Sequence, residues 1–177
     1  MKPARPRWAL VERRVEELLA KYGINEPPIP IEILIRSEGI ELHYPDLGDD
    51  VSGVLVRRIK GMVIGVNRRH SKARQRFTAA HELGHALLHE GSEVHHDQVF
   101  RMNLRSDLSS QGVDPEEIEA NHFAASLLMP RVTLERDPST FLIEIEDSTA
   151  ISVLAKRYGV STHAMALRLT ALSRVRS

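Results

Sequence analysis

The sequence predicts an α+β fold in which a small antiparallel sheet packs on helices and a C-terminal helical hairpin follows. Three observations carry that expectation. Apolar residues recur at helical spacing near both ends and in the middle, three short β-rich runs lie together between Ile40 and Asn67, and glycine or proline marks most boundaries. With 177 residues, 42% of them hydrophobic, the chain has material for one compact core. We assign residues 1–135 to that domain and 136–177 to a helical, helix-turn-helix-like extension.

In the first helix, Trp8 to Tyr22, residues Val11, Val15, Leu18, Leu19 and Tyr22 form one apolar face opposite Glu12, Arg13, Glu16 and Glu17, and Gly23 ends it. Pro30 suits the first position of a short helix over Ile31 to Glu38. Strands follow at Ile40 to Tyr44, Ser52 to Arg57 and Met62 to Asn67, and their short connections predict antiparallel neighbours. If the third strand lies at the sheet edge, it is placed to hold an extended peptide by strand addition.

A helix over Lys72 to His89 comes next, then a stretch from Glu90 to Val113 without sustained periodicity, which reads as a long surface loop. Asp114-Pro115-Glu116-Glu117 has the form of a capped helix start, with Met129-Pro130 as the stop. Past a variable stretch around Pro138 to Glu146, helices are expected over Thr149 to Tyr158 and Thr162 to Leu172.

Composition excludes several classes of function. There is no cysteine, so neither disulfides nor thiolate ligands are available and any metal must be held by imidazole and carboxylate. Neither a signal-like leader nor a membrane-length apolar run is present, and the expected location is the cytoplasm. The 24 basic and 24 acidic residues balance, unlike a chain whose main work is gripping nucleic acid.

His81-Glu82-Leu83-Gly84-His85 sets two imidazoles one helical turn apart, on one face, where both reach a single ion. Glu82 beside them is the candidate catalytic base, able to take a proton from water that zinc makes acidic. Gly84 between the ligands lets another element approach closely. A tetrahedral zinc needs one more protein ligand, and the helix starting at Asp114 offers Glu116, Glu117 and Glu119. Glu117 is preferred because Asn121, four residues on, shares its face and can orient a ligating histidine from outside the coordination sphere. Glu119 is the next choice, and Glu116 reads as a first-turn acid favoured by the helix dipole.

The runs Arg76-Phe77-Thr78-Ala79-Ala80-His81-Glu82-Leu83-Gly84-His85-Ala86-Leu87-Leu88-His89 and Glu117-Ile118-Glu119-Ala120-Asn121-His122-Phe123-Ala124-Ala125-Ser126-Leu127-Leu128-Met129-Pro130 resemble the two signatures of the ImmA/IrrE metallopeptidases. The likeness extends over most of Trp8 to Pro130 and includes Gly53 in a strand and Val66-Asn67 before the metal helix. It implies a compact zincin-like α+β fold, zinc (Zn2+) held by His81, His85 and Glu117 with Glu82 as base, and site-specific cleavage of a transcriptional repressor. Some members carry a further sensor-like domain, which is not expected here.

Other histidines receive plainer readings. His89 is expected to be packed or half-exposed, while His95 and His96 are solvated loop residues. His122 and the transition-state donor stay unassigned. At the C-terminus, Lys156, Arg157, Arg168, Arg174 and Arg176 form a basic end without acids from Leu154 onward, a candidate surface for steering a protein substrate. A hairpin packed on the core or pairing with another copy is preferred there over direct DNA contact. The expected activity is zinc-dependent endoproteolysis of a cytoplasmic helix-turn-helix repressor. The alternative is a metal-containing regulator that binds a repressor, toxin or DNA without cutting.

Overall fold

The structure, a computed structural model, describes residues 3–90, 94–98, 114–137, 140 and 148–174. Helix α1 (Trp8–Lys21) buries Val11, Val15 and Leu18 at the expected spacing. Helix α2 (Ile31–Ser37) follows Pro30 and buries Ile31, Leu34 and Ile35. Then come β1 (Glu41–His43), β2 (Val51–Arg58) and β3 (Gly61–Val66), helix α3 (Lys72–Leu88) and strand β4 (Val94–Gln98). Helices α4 (Pro115–Leu128), α5 (Arg131–Arg136), α6 (Ser148–Tyr158) and α7 (Thr162–Arg174) complete the described order.

The mixed α+β class is as expected, but the sheet differs from the sequence reading in three respects. Its order is β1-β3-β2-β4. β1 runs parallel to β3, with Leu42 opposite Ile64, rather than antiparallel to β2, because the connection over residues 44–50 carries the chain past β3 before β2 begins. β3 is therefore an interior strand, and the strand-addition role expected of it is ruled out. The segment read as a loop from Glu90 contributes β4, paired antiparallel to β2 with Val54 opposite His96; its remainder lies outside the described residues. The variable stretch around Pro138 to Glu146 also lies mostly outside them.

Between sheet and helices, Leu55, Ile64 and Val66 pack in one core with Phe77, Ala80 and Leu83 of α3 and Phe123, Ala124 and Leu127 of α4. Each large side chain fully withdrawn from water contributes about 1.5–3 kcal/mol. α3 and α4 touch at Gly84, where an added Cβ would lie 3.1 Å from Phe123 Cδ1 and 3.2 Å from the Ala120 Cα. That is the close approach the glycine predicts. The C-terminal turn of α3 is fixed from the sheet: Arg57 Nη2 of β2 donates to the carbonyl oxygens of His85 at 2.8 Å and His89 at 3.0 Å.

α6 and α7 pack on this core through Ile151, Leu154, Tyr158, Ala164 and Met165. Arg76 of α3 ties them down, donating from Nε to the Gly159 oxygen and from Nη2 to the Ile29 oxygen. This corrects the reading of Arg168 as part of a basic steering surface. Arg168 is only 4% exposed and donates through Nε to the Met129 oxygen at 3.2 Å. Arg157 pairs with Asp137, at 3.1 Å from its Oδ2. Arg176 and the side chain of Arg174 lie outside the described residues.

Reversing Arg168 therefore probes stability rather than steering. Arg168→Glu should lower the unfolding free energy in urea by about 3–5 kcal/mol, the usual cost of leaving a buried charge uncompensated. Exposed Lys156→Glu should stay within about 0.5 kcal/mol of the wild type. Equal midpoints for the two variants would refute a supporting role for Arg168.

Candidate metal centre

α3 supplies two imidazoles from its buried middle. His81 and His85 are 0% and 2% exposed, with their Nε2 atoms 3.0 Å apart. α4 crosses α3 at Gly84 and brings Glu117 to them, its Oε2 3.4 Å from His81 Nε2 and its Oε1 3.2 Å from His85 Nε2. The three donor atoms lie within 4.8 Å of one another, so the group could hold a metal ion. A tetrahedral zinc with ligands at ~2.0–2.1 Å needs neighbouring donors ~3.3 Å apart, which this set meets without rearrangement. The Glu117 side chain is 29% exposed, and the cluster is open to water on that side.

Asn121 stands one turn after Glu117, and its Oδ1 lies 2.8 Å from His81 Nδ1. An amide oxygen there accepts the Nδ1 proton and leaves the Nε2 lone pair facing the cluster. Glu82 is fully buried and reaches toward β2. A Cβ built on Gly53 would sit 2.6 Å from Glu82 Oε1 and 2.5 Å from Thr78 Cγ2, so the strand accommodates the carboxylate only because residue 53 is glycine. Gly53→Ala should displace the Glu82 side chain and lower any hydrolytic rate while metal content, read by elemental analysis, stays unchanged. Full activity in the variant would refute this steric role.

The runner-up glutamate faces elsewhere. Glu119 is fully buried and takes three hydrogen bonds from Arg7: from the backbone N–H to Oε1 at 2.6 Å, from Nε to Oε1 at 2.9 Å and from Nη2 to Oε2 at 2.7 Å. Burial alone would raise its pKa, but the Arg7 and His89 bonds outweigh this and hold it at about 2. His89 is buried, in keeping with the packed reading, and burial pushes its pKa down despite Glu119. Its Nε2 lies 2.9 Å from Glu119 Oε2 and its Nδ1 lies 3.0 Å from His85 Nδ1.

Glu116 sits in the first turn, where its N–H donates to the capping Asp114 Oδ1. His122 turns away from the centre: its Nε2 is 2.6 Å from Glu12 Oε1, which also accepts from Ser126 Oγ, and Trp8 packs edge-on to its ring. Burial would raise the Glu12 pKa, yet the His122 bond and its other partners bring it to about 2. His95 and His96 belong to β4, and their side chains lie outside the described residues. Sequence reasoning missed Arg7, Arg57 and the steric role of Gly53. The last had a signal, a glycine inside a strand; the arginines had none.

Two helices crossing at a glycine and presenting a His-His-Glu group beside a small mixed sheet define a metallopeptidase-like α+β protein. The chain belongs to a peptidase family whose model, described as the IrrE N-terminal-like domain, matches residues 35–170. It is 30% identical over 124 residues to "Uncharacterized immunity region protein 2" of Bacillus phage phi105, covering 70% of each chain. Among solved structures it is similar to a "Mycobacterium tuberculosis transcriptional regulator", with a TM-score of 0.55 and 17% identity. That likeness covers 90% of this chain but only 46% of the other, so this chain spans less than half the length of that protein. No helix among the described residues is long and apolar enough to cross a membrane.

Proposed function

We propose that this chain is a zinc-dependent endopeptidase that cuts a cytoplasmic helix-turn-helix repressor at a single site. The observation that carries the reading is the convergence of His81, His85 and Glu117 beside a buried Glu82 on the same helix. Zinc, when bound, supplies a Lewis acid that lowers the pKa of water and polarises a peptide carbonyl. The protein's own residues supply the rest. His81 and His85 would hold the ion through Nε2 and Glu117 through its carboxylate, with Asn121 keeping His81 in the tautomer this needs. Glu82 accepts the proton of the attacking water on a carboxylate oxygen and passes it to the leaving amine as the peptide bond breaks.

An extended substrate has a natural place beside this group. Gly53, which borders Glu82, is paired with Asp97 of β4, so among the described strands β4 is the edge nearest the catalytic carboxylate. Strand addition there would supply main-chain hydrogen bonds with little side-chain demand. Selectivity would come from neighbouring surface: a groove bounded by Arg74, Phe77 and Thr78 of α3 and by Val160, Ser161 and His163 of the hairpin begins one turn before Glu82. The immunity-region relative and the resemblance of the two motifs to the ImmA/IrrE metallopeptidases support the choice of substrate.

Purified protein mixed with helix-turn-helix repressors encoded nearby in its genome should convert one of them to two fragments, and a chelator should abolish the cut. Stable complex formation with an intact repressor, in the presence of zinc, would instead establish binding without proteolysis.

A further inference from the structure

We propose that Arg7, at the surface, and the buried Glu119 and His89 form a positioning relay that sets the ring proton of His85 on Nδ1 and thereby keeps its Nε2 free to bind metal. The proposal rests on the reading of His81, His85 and Glu117 as a metal centre and extends it to residues outside the ligand set.

The direction of every hydrogen bond follows from the outer end inward. Arg7 has no acceptor to offer, so its three bonds fix Glu119 as an acceptor. Glu119 Oε2, 2.9 Å from His89 Nε2, therefore takes a proton from that nitrogen. A neutral imidazole with its proton on Nε2 has only a lone pair on Nδ1. That lone pair meets His85 Nδ1 at 3.0 Å, and the contact is a hydrogen bond only if His85 donates. The remaining His85 nitrogen, Nε2, then carries a lone pair, and it is the atom 3.2 Å from Glu117 Oε1.

His85, His89 and Glu119 are 2%, 7% and 0% exposed, so moving the proton of either ring to its other nitrogen would set acceptor against acceptor away from water. The two candidate ligand histidines are thus held by different devices: His81 by the single amide oxygen of Asn121, and His85 by a relay that ends on the residue preceding α1. Arg7 Nη2 also lies 3.3 Å from the Leu88 oxygen, joining that N-terminal segment to the end of the metal-binding helix.

The test reads proton position as well as metal affinity. In metal-free wild-type protein, 15N NMR of labelled histidine rings should show His85 protonated on Nδ1 and His89 on Nε2. Glu119→Gln, nearly isosteric, can donate its amide to His89 Nε2, and both tautomers should then reverse. Zinc affinity, measured by competition with a chromophoric chelator, should fall ~10- to 100-fold, as for other outer partners of metal ligands.

Arg7→Gln keeps the carboxylate but loses its anchor, and should show a smaller loss in the same direction. Wild-type His85 found with its proton on Nε2 would overturn the proposal even if Glu119→Gln failed to fold. Unchanged zinc affinity in folded Glu119→Gln would overturn it too. Wild-type protein with the expected tautomers but no affinity for zinc would overturn the metal-centre reading and leave the proton placement intact.

Discussion

Glu82→Gln should retain stoichiometric zinc and lose hydrolysis by a factor of ~10²–10⁴, the range assigned to a positioned general base. The amide has the volume of the carboxylate and fits the same space against Gly53 and Thr78, so folding and ligand geometry should persist. What it lacks is an oxygen basic enough to accept a proton. On the rate scale the loss corresponds to about 3–5 kcal/mol of transition-state stabilisation. The measurement is single-turnover cleavage of the repressor, with zinc content determined on the same preparation. Zinc retained with full turnover would sink the proposed mechanism, whereas zinc lost would mean that Glu82 serves the metal directly.

How much of this was legible in the sequence depends on the range of the interactions involved. Helices α1, α3 and α4 could be read almost to the residue because periodicity and caps are local: Ser71 Oγ accepts from the Arg74 N–H, and Asp114 Oδ1 accepts from that of Glu116. α5 has no local signal because Pro130 reads as a stop, whereas in the fold it follows one helix and occupies the N-cap of the next. β4 has the polar sequence Val94-His95-His96-Asp97-Gln98, which shows no alternation, and its strand character comes from pairing with β2. The parallel placement of β1 is likewise a long-range choice that neighbouring residues do not encode.

The candidate site divides along the same line. His81 and His85, like Glu117 and Asn121, are pairs at one-turn spacing, and the sequence puts each on one helix face before any fold is known. The crossing at Gly84 brings the two faces together. Arg7 lies 112 residues from Glu119, and nothing near either residue announces their contact. The basic C-terminus misled for a related reason. Charge in sequence does not reveal that one arginine, Arg168, spends its guanidinium on a helix-end carbonyl inside the core.

The assignment of the third ligand is the point at which local pattern and fold can be tested against each other. Glu117→Ala should abolish stoichiometric zinc at micromolar protein after dialysis, as should His81→Ala and His85→Ala, since each removes one of the three donors that the described residues bring together. Glu119→Ala should behave differently. Its carboxylate is turned toward Arg7 and His89, so its loss acts through His85 and should weaken binding only by the ~10- to 100-fold typical of outer residues. A graded series follows, with complete loss for the three candidate ligands, partial loss for Glu119→Ala, and no loss for Glu116→Ala, whose N–H rather than carboxylate takes part in the helix cap. Elemental analysis over a range of free zinc separates partial from complete loss, because a weakened site refills at higher concentration and a dismantled one does not. Full zinc retention in Glu117→Ala with complete loss in Glu119→Ala would exchange the roles of the two glutamates and require α4 to turn by about half a turn relative to α3.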